Sequence, residues 1–318
     1  MIAPKMDVPV VFTAVWFEGA FTYPDYPGKV IFVAEEFLDH AKPFIGKHAG
    51  EMLVMPNRVD LDRFSKDVDW SGFAGENNLP VEGTKIAFMC RLDISKDKSV
   101  YNAMDAAGIL AERGMEVTLA IAGDGPLREQ LQKHADGINA RYKREVVIFL
   151  GSVKQTPEFL SWSDIVLGIG RSAFEGMATS KPTCIVGENG LAGVVRRDTV
   201  KKLQYHNFAG RNIDTWREPS VLADAIEEIM SDRAKYESLA AFSREYIIEN
   251  YGYKDGAERL EKLYEELLAA GPLSRNQKAK AAVSSFFTGY CRSLYRNMRS
   301  KIKESLFEKP GKVNNNGE

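Results

Sequence analysis

Arginine, lysine and glycine recur in four short segments of the sequence that could bind an anion. Segment 90–96 carries Arg91 and Lys96, two cations five residues apart that can clamp the two phosphates of a diphosphate. Segment 123–126 is Gly-Asp-Gly-Pro, where Gly123 and Gly125 allow close backbone approach and the proline suits the start of a helix. Each segment alone is a weak indication, because most glycine turns and surface ion pairs bind no ligand.

Two further segments have the same character. Segment 168–172 is Gly-Ile-Gly-Arg-Ser, a glycine turn that opens a predicted helix carrying Glu175 one turn in. Segment 187–190 is Gly-Glu-Asn-Gly and follows an apolar run. A helix amino terminus presents free N–H groups that favour anions, so the joint occurrence of the four segments is a stronger signal than any one of them.

The elements that must position these segments alternate between short apolar runs and longer amphipathic ones, which is typical of a doubly wound α/β domain with a parallel sheet. We predict strands at 85–89, 117–122, 146–150, 165–168 and 183–186. We predict helices at 99–113, 126–136, 156–161, 172–179 and 220–230. In such a fold the four segments all lie at the carboxyl ends of strands, where ligands bind.

Composition excludes several other classes of protein. The 318 residues are 44% hydrophobic and 27% charged, which is typical of a globular chain with a core and room for two domains. Three widely spaced cysteines favour neither a disulfide framework nor a zinc site. From the cysteines we therefore expect no metal and a location in the reducing cytoplasm. No apolar run is long enough to span a membrane. The sequence lacks a Walker loop and a Gly-x-Gly-x-x-Gly fingerprint.

The end of the chain differs in charge from the rest. Residues 273–318 hold ten Lys/Arg against three Glu, although the whole chain has a net charge of −2. We predict that residues 281–307 form a basic amphipathic helix that lies on an anionic membrane surface. The alternative is that its apolar stripe packs on the protein's own body or on a partner copy.

Several motifs, taken together, point to a family. They are Pro56-Asn57-Arg58-Val59-Asp60 with Phe64, Arg91-Leu92 with Lys96, Ala122-Gly123-Asp124-Gly125-Pro126, Ser163-Asp164, Phe174-Glu175-Gly176-Met177-Ala178 and Lys181-Pro182. In order and spacing, over about residues 29–270, this series resembles the carboxyl-terminal half of retaining glycosyltransferases of the GT-B fold, family 4 type. The resemblance implies one complete Rossmann-like domain that takes a nucleotide-sugar and a partial second α/β domain on the acceptor side.

The same resemblance assigns roles to residues. It implies that Arg91 and Lys96 are catalytic cations on the donor diphosphate, and that Gly123 and Gly125 bind the donor. Glu175 matches the second acid of the family's Glu-x7-Glu motif, which accepts hydrogen bonds from the nucleotide ribose. The alternative for Glu175 is stabilisation of a helix amino terminus.

The sequence departs from the family at the first acid of that motif, where it has Leu167. The shorter loop resembles that of a subset with a Gly-x-Gly-Arg turn, and the segment Asn207-Phe208-Ala209-Gly210-Arg211 also resembles that subset. This resemblance implies that Arg171 and the amides of Gly170 to Ser172 replace the missing contact. The resemblance also implies domain bounds: a truncated acceptor-side segment at 1–70, a linker at 71–84, the donor domain at 85–250, a closing helix at 251–272 and the basic tail at 273–318.

The function implied is transfer of a hexosyl group from a nucleotide-sugar to a polysaccharide or lipid-linked acceptor with retention. The nucleotide-sugar is a substrate, and no cofactor and no nucleic acid are expected. The alternative is a non-catalytic or half-enzyme subunit that needs a partner chain for the acceptor domain. A nucleotide-sugar epimerase of the same fold is a third, weaker hypothesis. A peripheral position on the inner face of the membrane would suit a lipid-linked acceptor.

Overall fold

A computed structural model describes residues 11–14, 28–43, 51–279 and 283. It divides the chain into two compact units. One comprises Met1–Met55 with Lys262–Glu318, and the other is Pro56–Glu261. The predicted tail helix lies outside the described residues, apart from Val283.

The first unit contains a small parallel sheet. Its strands are β1 (Phe12–Ala14), β2 (Val30–Phe32) and β3 (Met52–Val54), in the order β1-β2-β3. The helix α1 (Glu35–Ala41) follows β2 and packs on the sheet, because its Phe37 and the β2 residue Phe32 are both buried in one apolar cluster. Leu273 is partly buried and packs against the same cluster.

The second unit is built on a six-stranded sheet. Its strands are β4 (Thr84–Met89), β5 (Val117–Ala122), β6 (Val147–Gly151), β7 (Ile165–Gly168), β8 (Thr183–Gly187) and β9 (Gly190–Val194). The spatial order is β6-β5-β4-β7-β8-β9, with parallel pairing except between β8 and β9. The five predicted strands therefore occur, within one or two residues at each end.

Helices cover both faces of this sheet. They are α2 (Ser71–Glu76), α3 (Asp97–Glu112), α4 (Arg128–Tyr142), α5 (Thr156–Trp162), α6 (Arg171–Ala178), α7 (Val200–Tyr205), α8 (Pro219–Ser231) and α9 (Arg233–Tyr251). The last helix, α10 (Tyr253–Ala270), begins in this unit, and its residues from Lys262 onward belong to the first unit. The central strand β4 is covered on both faces. Ile86 and Phe88 pack into the apolar cluster on one face and Ala87 into the cluster on the other, and all three residues are buried. A strand buried on both faces has a continuous apolar run, as parallel sheets require. No helix in the described part of the chain is long and apolar enough to cross a membrane.

Two sequence expectations differ from the structure. The segment 187–190 does not run into a helix as the other three do; it is the turn of an antiparallel hairpin between β8 and β9. The turn residues are Glu188 and Asn189, and Gly190, which begins β9, has φ +92°, a conformation that glycine adopts readily. The expected linker at 71–84 contains α2, because Phe73 and Ala74 are buried in the core. Residues 71–84 contain too few apolar residues to show a helical period in the sequence.

Candidate functional site

The candidate site lies where the strand order of the large sheet reverses. β4 and β7 are neighbours, yet the chain leaves β4 toward β5 on one side and leaves β7 toward β8 on the other. Such a switch point opens a crevice at the carboxyl ends of the strands, which is the usual ligand site in doubly wound sheets. The loop after β4 carries Arg91 and Lys96, and the loop after β7 leads into Arg171.

The loop after β4 is held rigidly by its own backbone. Leu92 is fully buried; its N–H donates to the Asp124 carbonyl and its carbonyl accepts the Leu127 N–H, at 3.1 Å each. The Asp93 carboxylate accepts the Ser95 N–H at 2.9 Å and the Ser95 hydroxyl at 2.6 Å. The loop therefore presents its cations from a fixed backbone.

Arg91 and Lys96 differ in their surroundings. The Arg91 side chain is 80% exposed, with its Nε 3.7 Å from the Asp93 carboxylate. Burial lowers the pKa of the Lys96 amine; Asp93 opposes that effect, and the Arg211 guanidinium adds to it. Within the described residues no carboxylate forms an ion pair with Lys96. Among the described residues Lys96 is thus a partly buried cation without an ion-paired carboxylate, which suits an anionic ligand.

Gly123 and Gly125 bring the loop after β5 into contact with the loop after β4. A Cβ on Gly123 would overlap the carbonyl oxygen of Cys90, and one on Gly125 would overlap that of Leu92. The Gly123 N–H donates to Gly151 at 2.7 Å. The role visible for these glycines is backbone packing that fixes the Arg91 loop; direct donor binding by them stays a prediction.

The turn after β7 begins α6 at the switch point. Gly170 has φ +60° at the N-cap and donates its N–H to the Phe208 carbonyl at 2.7 Å. The Ser172 hydroxyl accepts the Ile169 N–H at 3.0 Å. The Gly170 amide is therefore already used within the protein, and the amides of Arg171 and Ser172 remain at the open end of the helix.

Glu175 is the buried acid of the site. Its side chain is 10% exposed and pairs with the Arg171 Nε at 2.8 Å. Burial raises the pKa of Glu175, and Arg171 and then Arg63 oppose that effect. The Arg171 side chain is 72% exposed, so the ion pair is open to solvent on the arginine side. The two residues are brought together as one ionic unit, which the sequence analysis did not anticipate.

One residue of the site was not among the predicted ones. Arg211 follows the Asn-Phe-Ala-Gly segment after α7, and its charge reaches Lys96 from the β8 side. The only sequence signal was that motif, because no strand or helix pattern indicated where the segment lies. Among the described residues no three potential metal ligands are grouped together.

Part of the chain is similar in sequence to known proteins. Residues 83–232 match the family model described as "Glycosyl transferases group 1". The chain is 26% identical over 227 residues to the 2-deoxystreptamine glucosyltransferase of Streptomyces kanamyceticus, covering 68% of this chain and 54% of that protein. It is 27% identical over 182 residues to the alpha-D-kanosaminyltransferase of the same organism, covering 55% and 44%. The chain thus spans about half the length of these relatives.

A solved structure confirms the fold class. HepE of Anabaena, solved in complex with UDP and glucose, superposes with a TM-score of 0.60 at 17% identity, covering 80% of this chain and 70% of HepE. The expected α/β, GT-B-like class is therefore correct. In fold, and in the sequence of residues 83–232, this chain is similar to the group 1 glycosyltransferases.

Proposed function

We propose that the chain binds a nucleotide-sugar at the switch point between β4 and β7 and transfers its hexosyl group, with retention, to a polysaccharide or lipid-linked acceptor. One observation carries this proposal. Lys96 is a partly buried cation without a carboxylate ion pair within the described residues, and it lies on a fixed loop at that switch point. The similarity to a glucosyltransferase and a kanosaminyltransferase supports a sugar substrate.

The residues have distinct parts in this reaction. When the bond between the sugar carbon and the diphosphate oxygen breaks, negative charge grows on the leaving group, and Lys96 and Arg91 stabilise that charge. The acceptor oxygen bonds to the same face of the sugar, and its proton passes to the leaving phosphate oxygen. Glu175 accepts hydrogen bonds from the ribose hydroxyls, because a carboxylate has acceptors and no donor. Arg171 orients that carboxylate through the pair between them.

The HepE complex supports a uridine diphosphate donor, and a GDP-mannose-dependent mannosyltransferase of Mycobacterium tuberculosis, 25% identical over 112 residues, supports a guanosine one. Calorimetric titration of the full chain with UDP and GDP distinguishes the two bases. Turnover is then measured with UDP-glucose or GDP-mannose and lipid-linked glycans, and NMR of the product reports the anomeric configuration. Product of inverted configuration would contradict the retaining mechanism.

The two cations supply a direct test. Each of Arg91→Ala and Lys96→Ala should weaken binding of the nucleoside diphosphate at least about tenfold, since a charge-assisted contact to phosphate contributes roughly 1.5–3 kcal/mol. The matched control is Lys133→Ala, which removes an exposed lysine of α4 that pairs with Glu129. If both site variants kept the wild-type affinity with the fold intact, Arg91 and Lys96 would not bind the diphosphate.

The half-enzyme hypothesis has its own outcome in these measurements. A chain that binds a nucleoside diphosphate tightly, yet turns over no acceptor until a second protein chain is added, would be a donor-binding subunit. Turnover by the purified chain alone would exclude that hypothesis. Cytoplasmic location, with the chain peripheral on the inner face of the membrane, remains part of the proposal for a lipid-linked acceptor.

A further inference from the structure

A cavity of about 440 Å³ lies at the β9 edge of the large sheet. Its walls come from β9, from the turn before α7, from α7 and from α8, all within the second unit. The volume is in the range of sites that bind small molecules. Because β8 separates β9 from β7, the cavity is a different place from the switch point between β4 and β7.

One cavity residue, Gly193, is a glycine within the strand β9. It is not among the glycines with a positive φ, and a Cβ on it would lie 3.6 Å from the Leu203 side chain, which is an ordinary contact. Neither backbone conformation nor packing therefore requires glycine at this position. The missing side chain leaves space beside Leu203, which also lines the cavity, and glycines in strands include those that a ligand approaches closely.

The carbonyls of β9 are occupied by side chains. The Leu191 carbonyl accepts a hydrogen bond from the Arg217 guanidinium at 3.1 Å, and the Ala192 carbonyl accepts one from the Asn212 amide at 3.0 Å. Edge strands that are covered in this way do not pair with a further strand. A small molecule, and not a strand of another chain, therefore suits the cavity.

The charges around the cavity are unbalanced in favour of cations. The three acids that line it are each in an ion pair, Asp198 with Arg196, Asp224 with Arg113, and Glu228 with Lys235. Two further cations, Lys202 and Arg217, line the same cavity, and neither is paired with a carboxylate in the part of the chain that the structure describes. Two uncompensated cations suit a dianion such as a phosphomonoester.

Arg217 is held in place by the fold. Its N–H donates to the Asn189 carbonyl at 2.9 Å, and its own carbonyl accepts the Asn102 side-chain amide at 3.0 Å. Its guanidinium uses Nη1 for the bond to Leu191, and a guanidinium has four further N–H donors. A cation that is already ordered loses little entropy when it binds an anion.

We propose that this cavity is a second ligand site, which binds a sugar phosphate with the phosphate on Lys202 and Arg217. The exposed carboxylates of Asp224 and Glu228, one helical turn apart on α8, accept hydrogen bonds from the sugar hydroxyls. The apolar floor, which includes Leu203, contacts the C–H groups of the sugar. The inference goes beyond the proposed function, because the cations at the switch point take no part in it.

Calorimetric titration of the full chain with glucose 1-phosphate, glucose 6-phosphate and mannose 6-phosphate tests the site. At least one of the three should bind, and Lys202→Gln and Arg217→Gln should each weaken that binding at least about tenfold. Lys202 is exposed, so its variant should keep the wild-type Tm. The matched control is Lys201→Gln, which removes the neighbouring lysine, whose Nζ lies 5.6 Å from the centre of the Tyr246 ring and which does not line the cavity. The control should bind as the wild type does.

Three results would overturn the inference. The first is that none of the three sugar phosphates binds, or that the affinity is unchanged in both charge variants. The second is binding that Lys96→Ala abolishes and Lys202→Gln leaves intact, which would place the sugar phosphate at the switch point. The third is inorganic phosphate bound as tightly as the sugar phosphate, because the sugar would then not be recognised. Titration with nucleoside diphosphates measures the proposed function separately.

Discussion

Lys96 shows how a binding residue can lower the stability of the protein that carries it. Its amine is partly buried beside Arg211, and burial lowers its pKa in the folded chain. The folded state therefore holds the lysine proton less firmly than the unfolded state does. By linkage, this group makes the fold more stable as pH rises toward the ordinary lysine value of 10.5.

Lys96→Met should consequently stabilise the fold and abolish diphosphate binding together. Removing a poorly solvated charge while keeping the chain length should raise the free energy of unfolding at pH 7 by about 1 kcal/mol. The gain should shrink between pH 7 and pH 10, because the wild type itself recovers stability there. Urea unfolding at both pH values measures the effect. A Met variant less stable than wild type at pH 7 would mean that the amine has a stabilising partner.

Glu175 changes the pH dependence of folding stability in the opposite direction to Lys96. Burial raises its pKa in the folded chain above the ordinary 4.5, so the wild type loses stability as pH rises through the folded-state value. Glu175→Gln should be more stable than wild type by about 1 kcal/mol at pH 7 and nearly equal to it at pH 4, where the acid is protonated in both states. Urea unfolding at the two pH values gives both numbers.

The matched control for this variant is Glu129→Gln, an 86% exposed acid of α4, which should show no such difference. The same Glu175 variant should weaken binding of the nucleoside diphosphate, since the charged hydrogen bond to ribose is lost. A 2′,3′-dideoxy nucleotide tests that contact: wild-type binding as tight as for the ribose form would remove Glu175 from the ribose site.

At the scale of elements, the contact between the loops after β4 and β5 is the feature that holds the cations in place. Gly123→Ala should cost at least about 2 kcal/mol of stability, because the new Cβ overlaps the Cys90 backbone, which cannot move without shifting β4. The control is Gly137→Ala, at a helical position with open space around it, which should stabilise by about 0.5–1 kcal/mol. Thermal unfolding of the two variants measures this difference. Equal Tm values would show that the loops after β4 and β5 can separate to make room for the Cβ.

Most of the large sheet could be predicted from the sequence, and the reasons are physical. Strands such as Val117–Ala122 are buried on both faces, so they are almost entirely apolar, with Thr118 the one polar residue of this strand, and turn residues follow them. β9 escaped prediction because Gly190–Val194 is short and contains two glycines, and an edge strand needs little apolar sequence. α7 is only six residues long, which is fewer than two helical turns, so its apolar residues cannot show a repeated period.

The positions of Arg91 and Lys96 were predictable because both lie on the loop directly after β4, and that of Glu175 because it lies one turn into the helix after β7; their roles in donor binding stay predictions. The position of Arg211 was not predictable, because it depends on the contact between Gly187 and Gly210, which joins segments 23 residues apart through backbone packing alone. The ionic pair of Arg171 with Glu175 follows from their helical spacing, and could have been anticipated from the i, i+4 rule.

On the scale of the whole molecule, charge is unevenly distributed along the chain. The ten Lys/Arg of residues 273–318 face only three Glu, whereas the chain as a whole is slightly acidic. This segment lies outside the described residues apart from its first seven and Val283, so its predicted helix at 281–307 rests on sequence pattern. Its basic residues and its apolar stripe are the two features that membrane-surface helices combine.

Liposome flotation tests that prediction on the full chain. Each Lys or Arg near anionic lipid contributes about 1 kcal/mol, and burial of residues such as Phe286, Phe287 and Leu294 adds about 25 cal/mol per square ångström. The full chain should therefore float with anionic vesicles at low salt and not with neutral ones. A chain that ends at Ala279 keeps Leu273, which packs in the core of the first unit, and should not float with either. Equal flotation of the two chains would show that the stripe packs on protein, and that the membrane prediction is wrong.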